Sequence, residues 1–176
     1  GKAKKLLELK NHGFKVPDFV VFTTTAHREY LTNNKLSRSV LKQLEGNLEK
    51  WDSSTLAIRS SMSAEDGANQ SYAGMMESYL HVLPKDAEKF IYKCFESVNS
   101  DRVRMYDQKN DTANAQQGAA VIVQVMVDSD ASGVAFSRSP VNNSSLVRIE
   151  AGYGIGEGIV SGIVEVDNYE VNRFGQ

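Results

Sequence analysis

Apolar residues recur along this chain at two spacings, and each spacing predicts a different element. Residues 3–12 carry Leu6, Leu7 and Leu9 and stop at Gly13, the residue type that follows a helix end. After Val16-Pro17, the run Phe19-Val20-Val21-Phe22 is short and β-rich, as in a buried strand. Thr24 or Thr25 caps a helix reaching about Tyr30-Leu31. Leu36, Val40, Leu41, Leu44 and Leu48 then repeat at helical spacing as far as Trp51. Leu56-Ala57-Ile58 predicts a strand that delivers Arg59, Ser60 and Ser61 at its C-terminal end. Residues 60–74, rich in Ser, Gly, Asn and Asp, read as a loop. Tyr79, Leu80 and Val82 mark a further strand. From Pro84 a helix places Ala87, Phe90, Ile91, Cys94, Phe95 and Val98 on one face, and its continuation through Arg102, Arg104 and Tyr106 is more polar.

The character changes after the polar connector at 110–118. Residues 119–123, 133–136, 146–149 and 162–166 read as strands separated by turn residues. The first two thirds are mixed helix and strand, and the last third is mainly β. The expected class is therefore α/β (α+β), divided into a subdomain at 1–118 and a β-rich one beginning at 119–176. No internal repeat or low-complexity segment interrupts the pattern.

Composition narrows the function without naming it. The 176 residues are enough to bury a core, and 20 Lys+Arg against 22 Asp+Glu leave a formal charge of −2. That balance offers no electrostatic reason for nonspecific binding to nucleic acid or an anionic membrane. No apolar run approaches the ~20 residues that span a bilayer. The single Cys94 forms no internal disulfide, so a reducing, cytoplasmic setting is the default.

Several positions carry candidate chemistry. Lys2, just ahead of a helix, suits a mobile phosphate contact or is one of several solvated lysines beside Lys4 and Lys5. Arg59 stands between an apolar strand and a small-residue loop. Its guanidinium suits bidentate phosphate binding, or a structural salt bridge to Glu65 or Asp66. The loop through Ser71-Tyr72-Ala73-Gly74 offers many backbone donors, and Gly74 allows close approach to a polyphosphate; an ordinary surface loop has the same composition. Alternation along residues 121–127 puts Gln124 and Met126 on one face. There they suit an adenine edge and ring, or Gln124 is an edge-strand residue facing solvent. Met75-Met76 read as packing residues, and Cys94 as core.

Other motifs point away from common chemistries. Gly152-Tyr153-Gly154-Ile155-Gly156-Glu157-Gly158 misses the dinucleotide spacing because position 157 is Glu. Asp128, Asp130, Glu150 and Glu157 are scattered over turns, with nothing that gathers them around a metal. His12, His27 and His81 lack metal-ligand spacing and read as surface or helix-end residues.

The order of these motifs is more specific than any one of them. Four blocks, Gly1-Lys2-Ala3 through Thr23-Thr24, Ile58-Arg59-Ser60-Ser61 through Tyr79-Leu80, Val123-Gln124 through Gly133-Val134, and Glu150-Ala151 through Gly162, follow one another in order along the chain. Together they resemble, over nearly the whole chain, the N-terminal ATP-binding domain of phosphoenolpyruvate synthases and pyruvate phosphate dikinases, a domain that rifampin phosphotransferases share.

The resemblance implies an ATP-grasp-like fold, with ATP between two α/β subdomains. It implies that Lys2 and Arg59 contact the ATP phosphates, that Gly74 and Ser78 belong to the phosphate loop, and that Gln124 and Met126 sit at the adenine hinge. In the complete enzyme the β-phosphoryl group of ATP moves to a histidine and then to pyruvate, with Mg²⁺ as the metal. Departures are visible. Ser78 stands where the family usually has Thr, the Lys2-to-Arg59 segment is shorter than the family's, and Val-Pro-Asp-Phe lacks the usual glycine before Phe19. The chain stops at Gln176, ahead of the family's magnesium-binding glutamate, its Gln-Ala-Arg-Pro signature, and the histidine and pyruvate domains. The expectation is an incomplete ATP site that does not turn over alone. The alternatives are a non-catalytic nucleotide- or partner-binding module and the ATP-binding part of a rifampin-type phosphotransferase.

Overall fold

The computed structural model describes residues 1–62, 77–98, 119–138 and 145–172. The polar connector at 110–118 and the helical continuation through Arg102–Tyr106 lie outside them. The chain forms two compact units, Gly1–Met126 and Val127–Gln176, each a mixture of helices and antiparallel strands, so the class is α+β.

In the first unit, helices α1 (Lys2–Asn11), α2 (Thr24–Asn33), α3 (Arg38–Leu48) and α4 (Ala87–Val98) accompany strands β1 (Phe19–Phe22), β2 (Leu56–Met62), β3 (Ser78–Val82) and β4 (Ala119–Val125). The strands make one antiparallel sheet in the order β1-β4-β2-β3. Strand alternation then sorts the residues. Leu56 and Ile58, Val121 and Val123, and Val20 and Phe22 point to one face. There they join Ala26 and Tyr30 of α2, Leu44 of α3, and Ala87, Ile91, Cys94 and Phe95 of α4 in the core. The helical spacing that predicted one apolar face on α4 is met: Ile91, Cys94 and Phe95 are fully buried.

The α2–α4 contact is aromatic. His27 stacks on Phe95 with ring centroids 5.0 Å apart, Tyr30 stacks on Phe95 at 5.5 Å and on Tyr92 at 5.0 Å. The Tyr30 hydroxyl donates to Glu96 Oε1 at 2.9 Å, which satisfies the polar end of a buried ring.

On four points the structure differs from the expectation. First, β2 runs through Met62, so Arg59 sits in mid-strand and Ser60 and Ser61 are ladder residues, opposite Val121 and Ala120. Small hydroxyl side chains fit a strand buried on both faces when neighbouring backbone accepts their hydrogen bonds. Ser60 does this, with its Oγ 3.4 Å from the Glu77 carbonyl. Second, β4, which the composition change places at the head of the second subdomain, lies inside the first sheet between β1 and β2, and the two units divide after Met126. β4 is buried along most of its length, so it reads as a continuous apolar run whichever unit it serves.

The third difference is in the second unit. Strands β5 (Ala131–Phe136), β6 (Val147–Tyr153) and β7 (Asp167–Val171) form an antiparallel sheet, with the short helix α5 (Gly156–Val160) between β6 and β7. Residues 162–166 are not a strand. Gly162 adopts a left-handed φ of +70°, its N–H bonds back to Ile159, and the Ile163 N–H bonds to Gly158. That pair of bonds is the helix-terminating Schellman arrangement, so the apolar residues at 163–164 cap α5 instead of pairing. Strand pairing begins five residues later than Gly162, at Asp167.

His27 is also not a surface residue: it is 2% exposed. Its Nδ1 accepts the Ala119 N–H at 3.3 Å, which holds the first residue of β4 against α2 and requires the neutral ring. Burial lowers the His27 pKa from its ordinary 6.5, against a smaller opposing pull from the Phe95 backbone. The unfolded chain therefore takes up a proton near pH 6.5 that the folded chain takes up only at lower pH. The contribution is complete above pH 6.5 and is lost as pH falls. We predict that the urea midpoint drops between pH 7.5 and 5.5, and that His27→Gln flattens this part of the profile while lowering stability at pH 7.5. An unchanged slope in the variant would refute the assignment.

Candidate functional site

The residues singled out for nucleotide chemistry are distributed over the face of the first sheet that α4 does not cover. Arg59 on β2 is directly opposite Ser78 on β3 and Ile122 on β4. Directly opposed residues of antiparallel strands project to the same side, about 5 Å apart at Cβ. Gln124 lies two residues beyond Ile122 and so shares that face, together with its partner Phe19 on β1. Arg59, Ser78 and Gln124 are thus brought to one surface by three strands far apart in sequence. Gly74 lies outside the described residues, as do Glu65, Asp66, Met75 and Met76.

Lys2 is the exposed first residue of α1, whose helix packs against β2. At the other end of α1, the Lys10 ammonium lies 5.9 Å from the Phe19 ring centroid and 3.5 Å from Asp18. Phe19 faces the same way as Gln124, so α1 runs along the Arg59 side of the sheet. Gly13 ends the helix in the left-handed conformation that the sequence pattern requires, with φ +82°.

Each polar residue has a definite setting. Arg59 is exposed, and among the described residues it has no ion-pair partner. Gln124 is not an edge residue facing solvent: it is 8% exposed in an interior strand, and its Nε2 donates to the Pro17 carbonyl at 3.3 Å. Met126, just past β4, donates its N–H to the Thr55 carbonyl at 2.9 Å. Its Sδ accepts the N–H of His81 at 3.0 Å. His81 is a residue that pattern reading missed. It has φ +53° in mid-strand, and no motif announces a left-handed histidine there.

A cavity of about 240 Å³ opens elsewhere, between β1, α2 and α3, lined by Val20, Phe22, Ala26, Val40 and Leu44 among others. It lies on the core side, and none of Lys2, Arg59, Ser78, Gln124 or Met126 lines it. No group of three His, Cys, Asp or Glu side chains that could hold a metal occurs among the described residues. No helix of the described residues is long and apolar enough to cross a membrane.

In the second unit the glycine-rich run makes a turn. The Ser129 and Ser132 hydroxyls converge on the Gly154 carbonyl at 3.2 and 2.6 Å, and the Gly154 N–H returns to Asp130. Glu150 is engaged by Arg148 at 3.1 Å, and the same guanidinium reaches Asn168 at 2.7 Å and Glu170 at 3.8 Å. Arg148, also missed by pattern reading, is therefore a cross-strand clamp between β6 and β7.

The chain has the family that the motif order suggested. Residues 39–176 match the family described as the pyruvate phosphate dikinase AMP/ATP-binding domain, and the chain belongs to that family. The match includes Arg59, Ser78, Gln124 and Met126 and leaves Lys2 outside it. Over 98% of its length the chain is 34% identical to an uncharacterized phosphotransferase, YvkC, of Bacillus subtilis. It is 30% identical over the same share to a rifampicin phosphotransferase of Bacillus cereus and to a probable phosphoenolpyruvate synthase of Methanocaldococcus jannaschii. It spans 23%, 24% and 18% of those three proteins. The alignments run over 195, 212 and 218 residues, so the relatives carry residues within the matched stretch that this chain of 176 lacks.

One reactive group near this sheet is held out of use. Cys94 lies under β2, its Sγ 3.8 Å from the Ile58 carbonyl and 3.9 Å from that of Glu77. Burial, reinforced by the Glu77 charge, pushes its thiol up to about 12. Thiolate is the reactive form, so the native thiol is inert at neutral pH. Iodoacetamide at pH 8 should leave Cys94 unmodified in the native chain and alkylate it in urea, as read by mass spectrometry. Equal labelling in both states would contradict the placement.

Proposed function

We propose that this chain is the ATP-binding portion of a phosphoenolpyruvate synthase-like dikinase, built as an ATP-grasp-like nucleotide site. The observation that carries the reading is the common face of Arg59, Ser78 and Gln124, supported by membership in an AMP/ATP-binding domain family. Arg59 supplies a permanent planar cation with five donors for phosphate oxygens. Ser78 supplies a hydroxyl beside it, and Lys2 a second, mobile positive charge from the start of α1. Gly74 belongs to the same phosphate loop. Gln124 and Met126 hold the adenine, the amide at its edge and the thioether on its ring. Phosphoryl transfer depends mainly on positioning and charge stabilisation, which these groups provide.

In the whole protein the β-phosphoryl group of ATP passes to a histidine on another domain and then to pyruvate. The sum is ATP, pyruvate and water to phosphoenolpyruvate, AMP and phosphate. Mg²⁺ enters this reading with the nucleotide, its protein ligands lying outside this chain. A rifampicin-type acceptor is a second reading, favoured by the Bacillus cereus relative at the same identity and coverage as the phosphoenolpyruvate synthase.

Calorimetry of the chain with ATP and Mg²⁺ tests the site. Arg59→Ala should weaken ATP binding at least about tenfold, the scale of one charge-assisted phosphate contact. Lys4→Ala, whose ammonium pairs with Glu8 at 3.7 Å on the exposed side of α1, should change it less than about twofold. Equal losses would remove Arg59 from the phosphate role. The 176-residue chain alone should release no AMP from ATP; sustained AMP release would show a complete catalytic site and defeat the partial-site reading.

A further inference from the structure

We infer that His81 is a positioning residue for the nucleotide base, acting through Met126. The inference deepens the ATP-site reading above and rests on it. Strand β2 separates β4 from β3 in the sheet, so a contact between Met126 and His81 must cross β2. It crosses at Thr55, whose carbonyl takes the Met126 N–H. Just beyond Thr55 the register between β2 and β3 slips: Leu56 opposes Val82, but Ile58 opposes Tyr79. Leu80 and His81 together therefore face Ala57, and β3 carries a bulge of one extra residue. Bulges re-aim backbone and side-chain groups beside functional sites.

His81 is the bulge residue in the left-handed region, at φ +53°. That conformation takes its N–H out of the ladder and turns it toward Met126 Sδ, 3.0 Å away. Methionine has three rotatable bonds and by itself specifies little. Here it is tied at its backbone by Thr55 and at its sulfur by His81, and it lies beside Gln124. A thioether fixed before the ligand arrives spares the base contact the cost of ordering a free side chain. The other end of β3 is Ser78, so one five-residue strand joins the phosphate hydroxyl to the base anchor.

The test compares ATP with inorganic tripolyphosphate, both with Mg²⁺, by calorimetry on the chain. Met126→Leu keeps the volume and removes the sulfur acceptor; His81→Val disfavours the left-handed backbone; His81→Gly keeps both the N–H and the φ. We expect Met126→Leu and His81→Val each to weaken ATP about fivefold, the scale of one net hydrogen bond, and to leave tripolyphosphate within about twofold. The double variant should lose no more than either single one. His81→Gly should recover the affinity that His81→Val loses. Independent, multiplying losses, equal losses for tripolyphosphate, or a glycine variant as weak as valine would each overturn the inference. If His81→Val fails to fold, Met126→Leu and His81→Gly decide alone. A wild-type chain that binds neither ligand defeats the nucleotide reading itself. Binding of ATP with an unaltered ATP-to-tripolyphosphate ratio in His81→Val, while Met126→Leu lowers it, defeats only the role of His81.

Discussion

The placement of β4 between β1 and β2 is the constraint on which the rest of the first unit depends. Its seven residues come from the far end of the unit and fill the gap between two strands that cannot otherwise reach each other. Its alternation serves two purposes at once. Val121 and Val123 face α4 and complete the core, while Ile122 and Gln124 lie on the side with Arg59 and Ser78. The strand is pinned at both ends by groups outside the sheet ladder. The Ala119 N–H bonds to buried His27, and near the other end Gln124 bonds to Pro17 and the Val125 N–H to Asp18. A one-residue slip would exchange the two faces, burying Gln124 in the core and exposing its valines. Core and candidate site therefore share one register.

Much of this was legible in the residue pattern, and what was not has physical causes. The apolar stripe of α4, the strand at β1 and the glycine after α1 follow from periodicity and backbone freedom alone. The order of motifs also identified the family correctly. Ser60 and Ser61 read as loop because small hydroxyl residues favour turns, yet both are ladder residues of β2. His27 read as a surface residue because histidine is polar, while the ring packs on Phe95 and uses one nitrogen as an acceptor. Residues 162–166 looked like a strand because Ile163 and Val164 are β-branched, but local bonds to α5 take precedence over pairing. In each case the deciding partner is remote in sequence or is a backbone group, and neither is visible in composition.

The glycine-rich run of the second unit has structural work of its own. Between β6 and α5 the run from Gly152 to Gly158 satisfies itself, with two serine hydroxyls on the Gly154 carbonyl and a Schellman turn after the helix. Of the carboxylates there, Glu150 and Glu170 are both held by Arg148. Arg148 is three-quarters buried, and its planar fork is matched to several acceptors at once, so its charge is already spent within the sheet.

Arg59 has no ion-pair partner among the described residues, and its mid-strand position would have a consequence for any phosphate it met. A cation on a loop can follow its ligand, but β2 is hydrogen-bonded on both sides, to β3 and to β4. The Arg59 backbone cannot shift relative to Gln124 without breaking that ladder. Their separation along the strands is set by two residues of rise, roughly 7 Å. On the proposed reading, the sheet register would set the distance between a phosphate at Arg59 and a base at Gln124, leaving only the arginine side chain to adjust. Preorganisation of this kind favours a ligand that presents both groups at one fixed spacing, and it disfavours a bare phosphate or a bare base alone. On the same reading, the bulge at His81 would extend this logic to Met126, because the His81 N–H holds the Met126 sulfur at 3.0 Å without itself touching a ligand.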